Sequence, residues 1–219
     1  GNFAGGPAVY TADITPTADG AVTVDVAADV AADAAANGNT AAAQLSIVYD
    51  STAPTVAITT AAPDPTNTSP IPVTITFNED VTDFVVGDIT VGNGTAGNFA
   101  GGPAVYTADI TPTADGAVTV DVAADVAADA AANGNTAAAQ LSIVYDSTAP
   151  TVAITTAAPD PTNTSPIPVT ITFNEDVTDF LIGDITVGNG TAGNFAGGPA
   201  VYTADITPTA DGAVTVDVA

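Results

Sequence analysis

Pro72-Val73-Thr74-Ile75-Thr76-Phe77-Asn78 alternates apolar residues with threonine, so Val73, Ile75 and Phe77 face one way and Thr74 and Thr76 the other. A strand, with its side-chain period of two, puts such a pattern on one buried and one wet face. The same period recurs outward from this stretch. Val56 and Ile58 share a face, and Phe84, Ile89 and Val91 predict a third strand region, with Phe99 in a fourth. Tyr106, Ala108 and Ile110 alternate with Thr107 and Asp109; Val118, Val120 and Val122 with Thr119 and Asp121; Leu141, Ile143 and Tyr145 with Ser142 and Val144. Turn-forming residues separate these runs at 62–67, 78–80, 91–94 and 112–116.

Seven short strands within about 96 residues, each with one apolar and one polar face, predict an all-β, two-sheet antiparallel β-sandwich of Ig-like architecture. The chain has no Cys and no Trp, so the disulfide and buried tryptophan of antibody domains are missing. One segment, 121–135, breaks the alternation, because it is rich in alanine with Asp121, Asp125 and Asp129 four residues apart. On a helix those carboxylates would line one face and repel. The strand is therefore expected to end near Asp125, followed by a turn or a single helical turn, with Asn133-Gly134-Asn135 turning into the last strand.

The whole pattern repeats. Residues 1–123 can be laid on 97–219, and the two differ only where Val85-Val86 becomes Leu181-Ile182. A period of 96 is too long for a solenoid unit and fits a small independent domain. The expected organisation is a C-terminal half repeat at 1–49, a complete repeat at 50–145 and the N-terminal part of a third at 146–219, lacking its last strand. These read as a window on a longer tandem array, extended as a rod of Ig-like domains.

The 219 residues include no Lys, Arg or His, but 23 Asp and 2 Glu, for a net charge of −25. With no basic group to displace counterions from phosphate, nucleic acid is excluded as a partner, and so is polybasic attraction to anionic lipid. No apolar run is long enough to span a bilayer. Without Cys or His a structural zinc site is excluded, and an all-oxygen, acidic chain points to hard cations, calcium first. With no His, Cys, Lys or Arg for acid–base or nucleophilic work, the chain reads as no enzyme, although neighbouring acids such as Asp80 and Asp83 are one arrangement that hydrolases use.

Tyr49-Asp50-Ser51-Thr52-Ala53-Pro54-Thr55-Val56 resembles the opening motif of bacterial Ig-like tandem repeats. Val73 to Val81 resembles their second strand and acidic loop, and Phe84 with Gly87-Asp88-Ile89 their next element. Tyr106 to Gly116 and Asp129-Ala130-Ala131-Ala132-Asn133-Gly134-Asn135 are similar to their later strands and Asp/Asn-rich loop, with Ala132 where those repeats often carry glycine. The resemblance implies stalk modules of large secreted adhesins and other cell-surface proteins. In the calcium-dependent members, it further implies ions that stiffen the junctions between domains.

In an Ig-like sandwich the first strand enters at the end that carries the B–C and F–G loops. Asp50 is thus expected beside Asn78, Glu79, Asp80 and the loop from Asp129 to Asn135, which includes Asn133, with Asp19 of the preceding copy facing the same junction. The equivalent set at the next junction is Asp146 with Asn174, Glu175 and Asp176, facing Asp64 and Asp115. Such a set has the six to eight oxygens that calcium takes at about 2.3–2.6 Å. The competing reading is that loop Asp and Asn are solvated Asx-turn residues. Asp109 and Asp121, outward on strands, read as charges opposing edge-to-edge aggregation. Asn67 and Asn93, with copies at Asn163 and Asn189, fit the Asn-x-Ser/Thr glycan-acceptor pattern.

Taken together, the expected function is a structural spacer in an extracellular adhesin or surface fibre, each repeat adding about 40 Å. Its partners are neighbouring repeats of the same chain. The alternative is a subunit of a self-assembling extracellular filament or surface layer, with other copies of the chain as partners. A carbohydrate-binding module ranks below both, because the five Tyr and seven Phe fall mostly on core-facing positions.

Overall fold

The computed structural model describes residues 1–218 and forms two compact units, Gly1–Ser147 and Thr148–Ala219. Within the first unit the N-terminal partial copy supplies two hairpins. Strands β1 (Ala4–Gly5) and β2 (Tyr10–Thr11) pair antiparallel, as do β3 (Gly20–Val24) and β4 (Leu45–Tyr49). Neither hairpin has a fully buried side chain.

The complete repeat follows as β5 (Val56–Thr60), β6 (Ile71–Phe77), β7 (Ile89–Gly92), β8 (Gly94–Gly101), β9 (Val105–Pro112), β10 (Gly116–Val122) and β11 (Leu141–Tyr145). One sheet runs β5-β6-β9-β8 and the other β11-β10-β7, all antiparallel. With strands lettered A to G in chain order, this is ABED against GFC, the seven-strand constant-type Ig arrangement. Register follows the apolar period: Ile71 lies opposite Ile110, Val73 opposite Ala108 and Ile75 opposite Tyr106, so inward residues meet inward residues. Their burial with Val118, Val120, Val122 and Ile143 makes one contiguous core. Each large aliphatic side chain so buried contributes about 1.5–3 kcal/mol. Phe77, Phe84, Phe99 and Tyr106 close one region of it, Phe99 stacked on Tyr106 and Phe84 edge-on to both. After β5 the chain crosses to the second sheet, where buried Thr66 forms a parallel bridge to Tyr145.

Two local expectations are refined. Phe84 does not begin the third strand: it is buried in the preceding loop, and a 3-10 turn at Val86–Asp88 intervenes before β7. Asp88 makes that turn by accepting the Val85 N–H at 2.8 Å while its own N–H donates to Val85 O at 3.0 Å. The alanine-rich segment contains no helical turn, and β10 ends at Val122. Asp125 (φ 60°) and Ala132 (φ 68°) take left-handed conformations that interrupt any helix.

The second unit repeats strands A to F of the plan. Strands β12 (Val152–Thr155), β13 (Ile167–Phe173), β15 (Gly190–Gly197) and β16 (Val201–Pro208) form the sheet β12-β13-β16-β15, while β14 (Ile185–Gly188) pairs with β17 (Thr215–Val218). Ile167 again lies opposite Ile206, and Ile171 opposite Tyr202. Among the described residues no helix is long and apolar enough to cross a membrane.

Candidate metal centre at the repeat junction

Three loops of the first unit converge on one group of acids. Asp50 lies in the linker between β4 and β5, Glu79 in the B–C loop after β6, and Asp129 in the F–G loop between β10 and β11. Their carboxylate oxygens lie within 4.8 Å of one another; Asp129 is buried and the other two are half-buried. Among the described residues they form the one such group of three.

The F–G loop holds Asp129 in place. Its Oδ1 accepts the N–H groups of Ala131 (2.8 Å) and Asn133 (2.9 Å), and its Oδ2 accepts from Asn133 Nδ2 at 2.8 Å. These bonds, the Asn133 side chain first, hold its carboxyl below the ordinary value of 3.8, against a smaller opposing effect of burial. Asn133 Nδ2 also donates to Asp50 O at 3.2 Å, so one amide ties the linker to the loop. Asp50 Oδ1 accepts the Thr52 N–H at 3.0 Å. A Cβ at Gly134 would run into the Asp125 carboxylate and displace it.

Asn135 is the keystone of this loop, although its sequence reads only as a turn residue. It is 1% exposed, and every polar group of its amide is used. Oδ1 accepts from Val126 N (3.0 Å) and Ala127 N (2.8 Å), while Nδ2 donates to Ala123 O (2.9 Å) and Thr136 O (2.8 Å). The linker is further joined to the repeat through Thr136 N–H to Pro54 O at 2.8 Å and Thr55 N–H to Asn78 Oδ1 at 2.6 Å.

Of the ten residues singled out from the sequence, the structure therefore brings together Asp50, Glu79 and Asp129, with Asn133 bridging. Asp80 is outside the group; its charge bears on the Tyr106 phenol, which burial first and Asp80 second push above its ordinary 10.0. Asp19 reaches the junction but accepts from Ser51 and Thr52, and Asp115 accepts from Ser147. Asp64 accepts the Val144 N–H at 2.9 Å, at the edge where β11 lies. In the second unit Glu175 is half-buried and Asp176 exposed, and Asn174 Oδ1 accepts the Thr151 N–H at 2.6 Å, as Asn78 does for Thr55. The N–H of Asp146 donates to Thr66 O at 2.9 Å.

The donor set of Asp50, Glu79 and Asp129 is all oxygen and all anionic, which suits a hard divalent cation and no soft one. No Lys, Arg or His exists to neutralise three carboxylates held this close.

A family model described as the bacterial Ig-like domain matches residues 50–145 and again 146–219. No curated protein and no solved structure matches the chain. Two consecutive matches over most of the sequence, on a fold with ABED and GFC sheets, establish the family: the chain belongs to the bacterial Ig-like domains, in tandem repeat.

Proposed function

We propose that this chain is a spacer in the stalk of an extracellular repetitive adhesin or surface fibre, stiffened by calcium at its junctions. Bacterial Ig-like domains are common in surface proteins, and theirs is a non-enzymatic fold class. The observation that carries the reading is the junction itself. Only six residues, 50–55, separate β4 from β5, and the first of them stands in a group of three carboxylates with Glu79 and Asp129. A linker that short, with near-identical copies on either side, serves reach and spacing, because no copy carries its own specificity. Calcium at the group would offset the repulsion among its three charges and tie linker, B–C loop and F–G loop together.

The test is small-angle X-ray scattering on a chain of several whole repeats, in calcium and then in chelator, beside calorimetric titration with calcium. Calcium binding and a maximum dimension growing by about 40 Å per repeat are expected, with a looser profile in chelator. Glu79→Gln is the clean variant, since Glu79 takes no part in the hydrogen bonds that shape the F–G loop; it should weaken binding at least tenfold. An unchanged profile and no heat of binding would remove calcium from the proposal and leave a solvated, self-repelling stalk.

A further inference from the structure

We infer that Asp19 and Asp115 are linker clamps: each carboxylate, on the E–F turn of one repeat, grips the hydroxyl residues of the linker leaving that repeat and fixes the path into the next repeat without a metal ion. This rests on the spacer reading and adds a second, independent source of stiffness to it.

The geometry is direct. Asp19 Oδ1 accepts both the N–H (3.0 Å) and the Oγ–H (2.7 Å) of Ser51, and its Oδ2 accepts the Thr52 hydroxyl at 2.6 Å. One period later, Asp115 Oδ1 accepts the N–H (2.9 Å) and the hydroxyl (2.8 Å) of Ser147. The sequence separation is 32 residues in both cases, so the device belongs to the repeat and not to one copy. Hydroxyl-to-carboxylate bonds this short are the strong, charge-assisted kind. They are also the form a clamp must take here, because a chain with no Lys, Arg or His has only N–H, O–H and amide donors to set against a carboxylate.

The rest of the linker is bonded to the following repeat. Pro54 O accepts from Thr136 N–H, Thr55 N–H donates to Asn78 Oδ1, and Asp50 O accepts from Asn133 Nδ2. Ser51 and Thr52 thus belong to the repeat behind while Asp50, Pro54 and Thr55 belong to the repeat ahead. With both sets in place, only the backbone torsions between Thr52 and Pro54 are left free to turn one repeat against the next, and Pro54 restricts the residue before it. The Ser-Thr pair of the linker is accordingly a functional element, and Asp19 and Asp115 act through hydroxyl groups and not as ligands.

The experiment uses the whole chain, which has no native cysteine, so two spin labels can be placed uniquely at the exposed positions Thr95→Cys and Thr191→Cys. The width of the label–label distance distribution is measured in chelator, together with hydrogen exchange of the Ser147 amide. The clamp predicts a narrow distribution in the parent chain, a clearly broader one in Asp115→Ala and in Ser147→Ala, and partial rescue in Asp115→Asn, which keeps one acceptor oxygen. It also predicts about tenfold faster exchange at Ser147 when Asp115 is Ala. Exchange of the β10 amides controls for folding, and Ser147→Ala, placed in the linker, keeps the test valid if Asp115→Ala disturbs the turn. Equal widths in parent and variants would overturn the clamp. The calcium reading fails separately, by equal parent widths with and without calcium.

Discussion

The complete repeat and the copy that follows it share their sequence over 50–123 and 146–219 except at two positions, yet they bury very different cores. Among the described residues the first has sixteen buried apolar side chains and the second six. Both build the ABED sheet with the same register, and in both Ile75 or Ile171, and Ile110 or Ile206, are fully enclosed. The difference lies on the other sheet. Val118, Val120 and Val122 are sealed in the complete repeat, whereas Val214, Val216 and Val218 are half-exposed, as are Phe173, Val177 and Phe180 against buried Phe77, Val81 and Phe84. Residues 50–145 include strand G and the F–G loop, whereas 146–219 reach only to the end of strand F, and that is the difference between the two spans. The ABED sheet is complete in both copies, its B and E strands pairing across the intervening C and D, and G with its loop closes the sandwich over it. The N-terminal partial copy shows the converse: its Ile47, the counterpart of Ile143, is 60% exposed although it stands in the same F–G hairpin, against 3% for Ile143.

The largest effect that could break this comparison is at that isoleucine. Ile143→Ala should cost about 2–5 kcal/mol, the usual range for a buried aliphatic truncation, whereas Ile47→Ala should stay within about 0.5 kcal/mol. Segment-resolved hydrogen exchange separates the two, since the cost should appear as faster opening of β10 and β11. A small cost at Ile143 would mean that strand G does not close the core.

Burial and hydrogen bonding part company in the F–G loop, and this sharpens the lesson. Asn39 makes the same four bonds in the partial copy that Asn135 makes in the complete one, without the sandwich around it. The loop is therefore encoded within its own residues, while strand burial is encoded at long range. Asn135→Ala would leave two N–H and two C=O groups without their partner, the Ala127 N–H in a buried place and the others partly buried, and should cost about 2–4 kcal/mol. Asn39→Ala opens the same groups to water and should cost about 1 kcal/mol or less. Equal costs, read from exchange of the Ala127 and Ala31 amides, would show that the loop, and not its burial, sets the penalty.

The strands were legible because period-two alternation is a local signal, and seven appear in the order expected, the third beginning at Ile89 and not at Phe84. Asp50, Glu79 and Asp129 were legible too, because the sandwich dictates which loops share an end. What the residues did not disclose was choice among partners. Asp19 and Asp115 accept from the linker residues Ser51, Thr52 and Ser147, and the charge of Asp80 bears on Tyr106. Asn135 looked like any turn asparagine, since nothing local tells a solvated amide from one that satisfies four backbone groups. The same holds for Ala132, whose φ of 68° accounts for the glycine that similar repeats often place there.

Acid should treat the two loops alike. Asp33 and Asp129 are both held below the ordinary carboxyl value of 3.8, first by the side chain of Asn37 or Asn133. A carboxyl depressed in the folded loop contributes stability that is present above its ordinary value and lost as pH falls through the lower, folded one. Side-chain amide signals of Asn37 and Asn133, followed by NMR from pH 5 downward, should hold through pH 3.8 and shift together below it. Loss at Asn133 at clearly higher pH than at Asn37 would mean that Asp50 and Glu79, adjacent only in the complete repeat, outweigh the bonds inside the loop.

The smallest effect tests the premise of the whole comparison, that the two substitutions between copies do not cause the difference in core. Val85 and Val86 are 54% and 41% exposed, and Leu181 and Ile182 are 62% and 41% exposed. Both pairs therefore lie on the surface at the 3-10 turn, in the span that includes strand G and in the span that stops before it. Added methylenes there enter no cavity and displace no packed neighbour, so Val85→Leu with Val86→Ile should change stability by no more than about 0.5 kcal/mol. The exchange profile of β7 and β10 should be unchanged. If instead those amides opened as readily as β14 and β17 do, closure by strand G would no longer explain the contrast. The turn before strand C would then have to be given control over the GFC sheet, against the exposure of the substituted side chains.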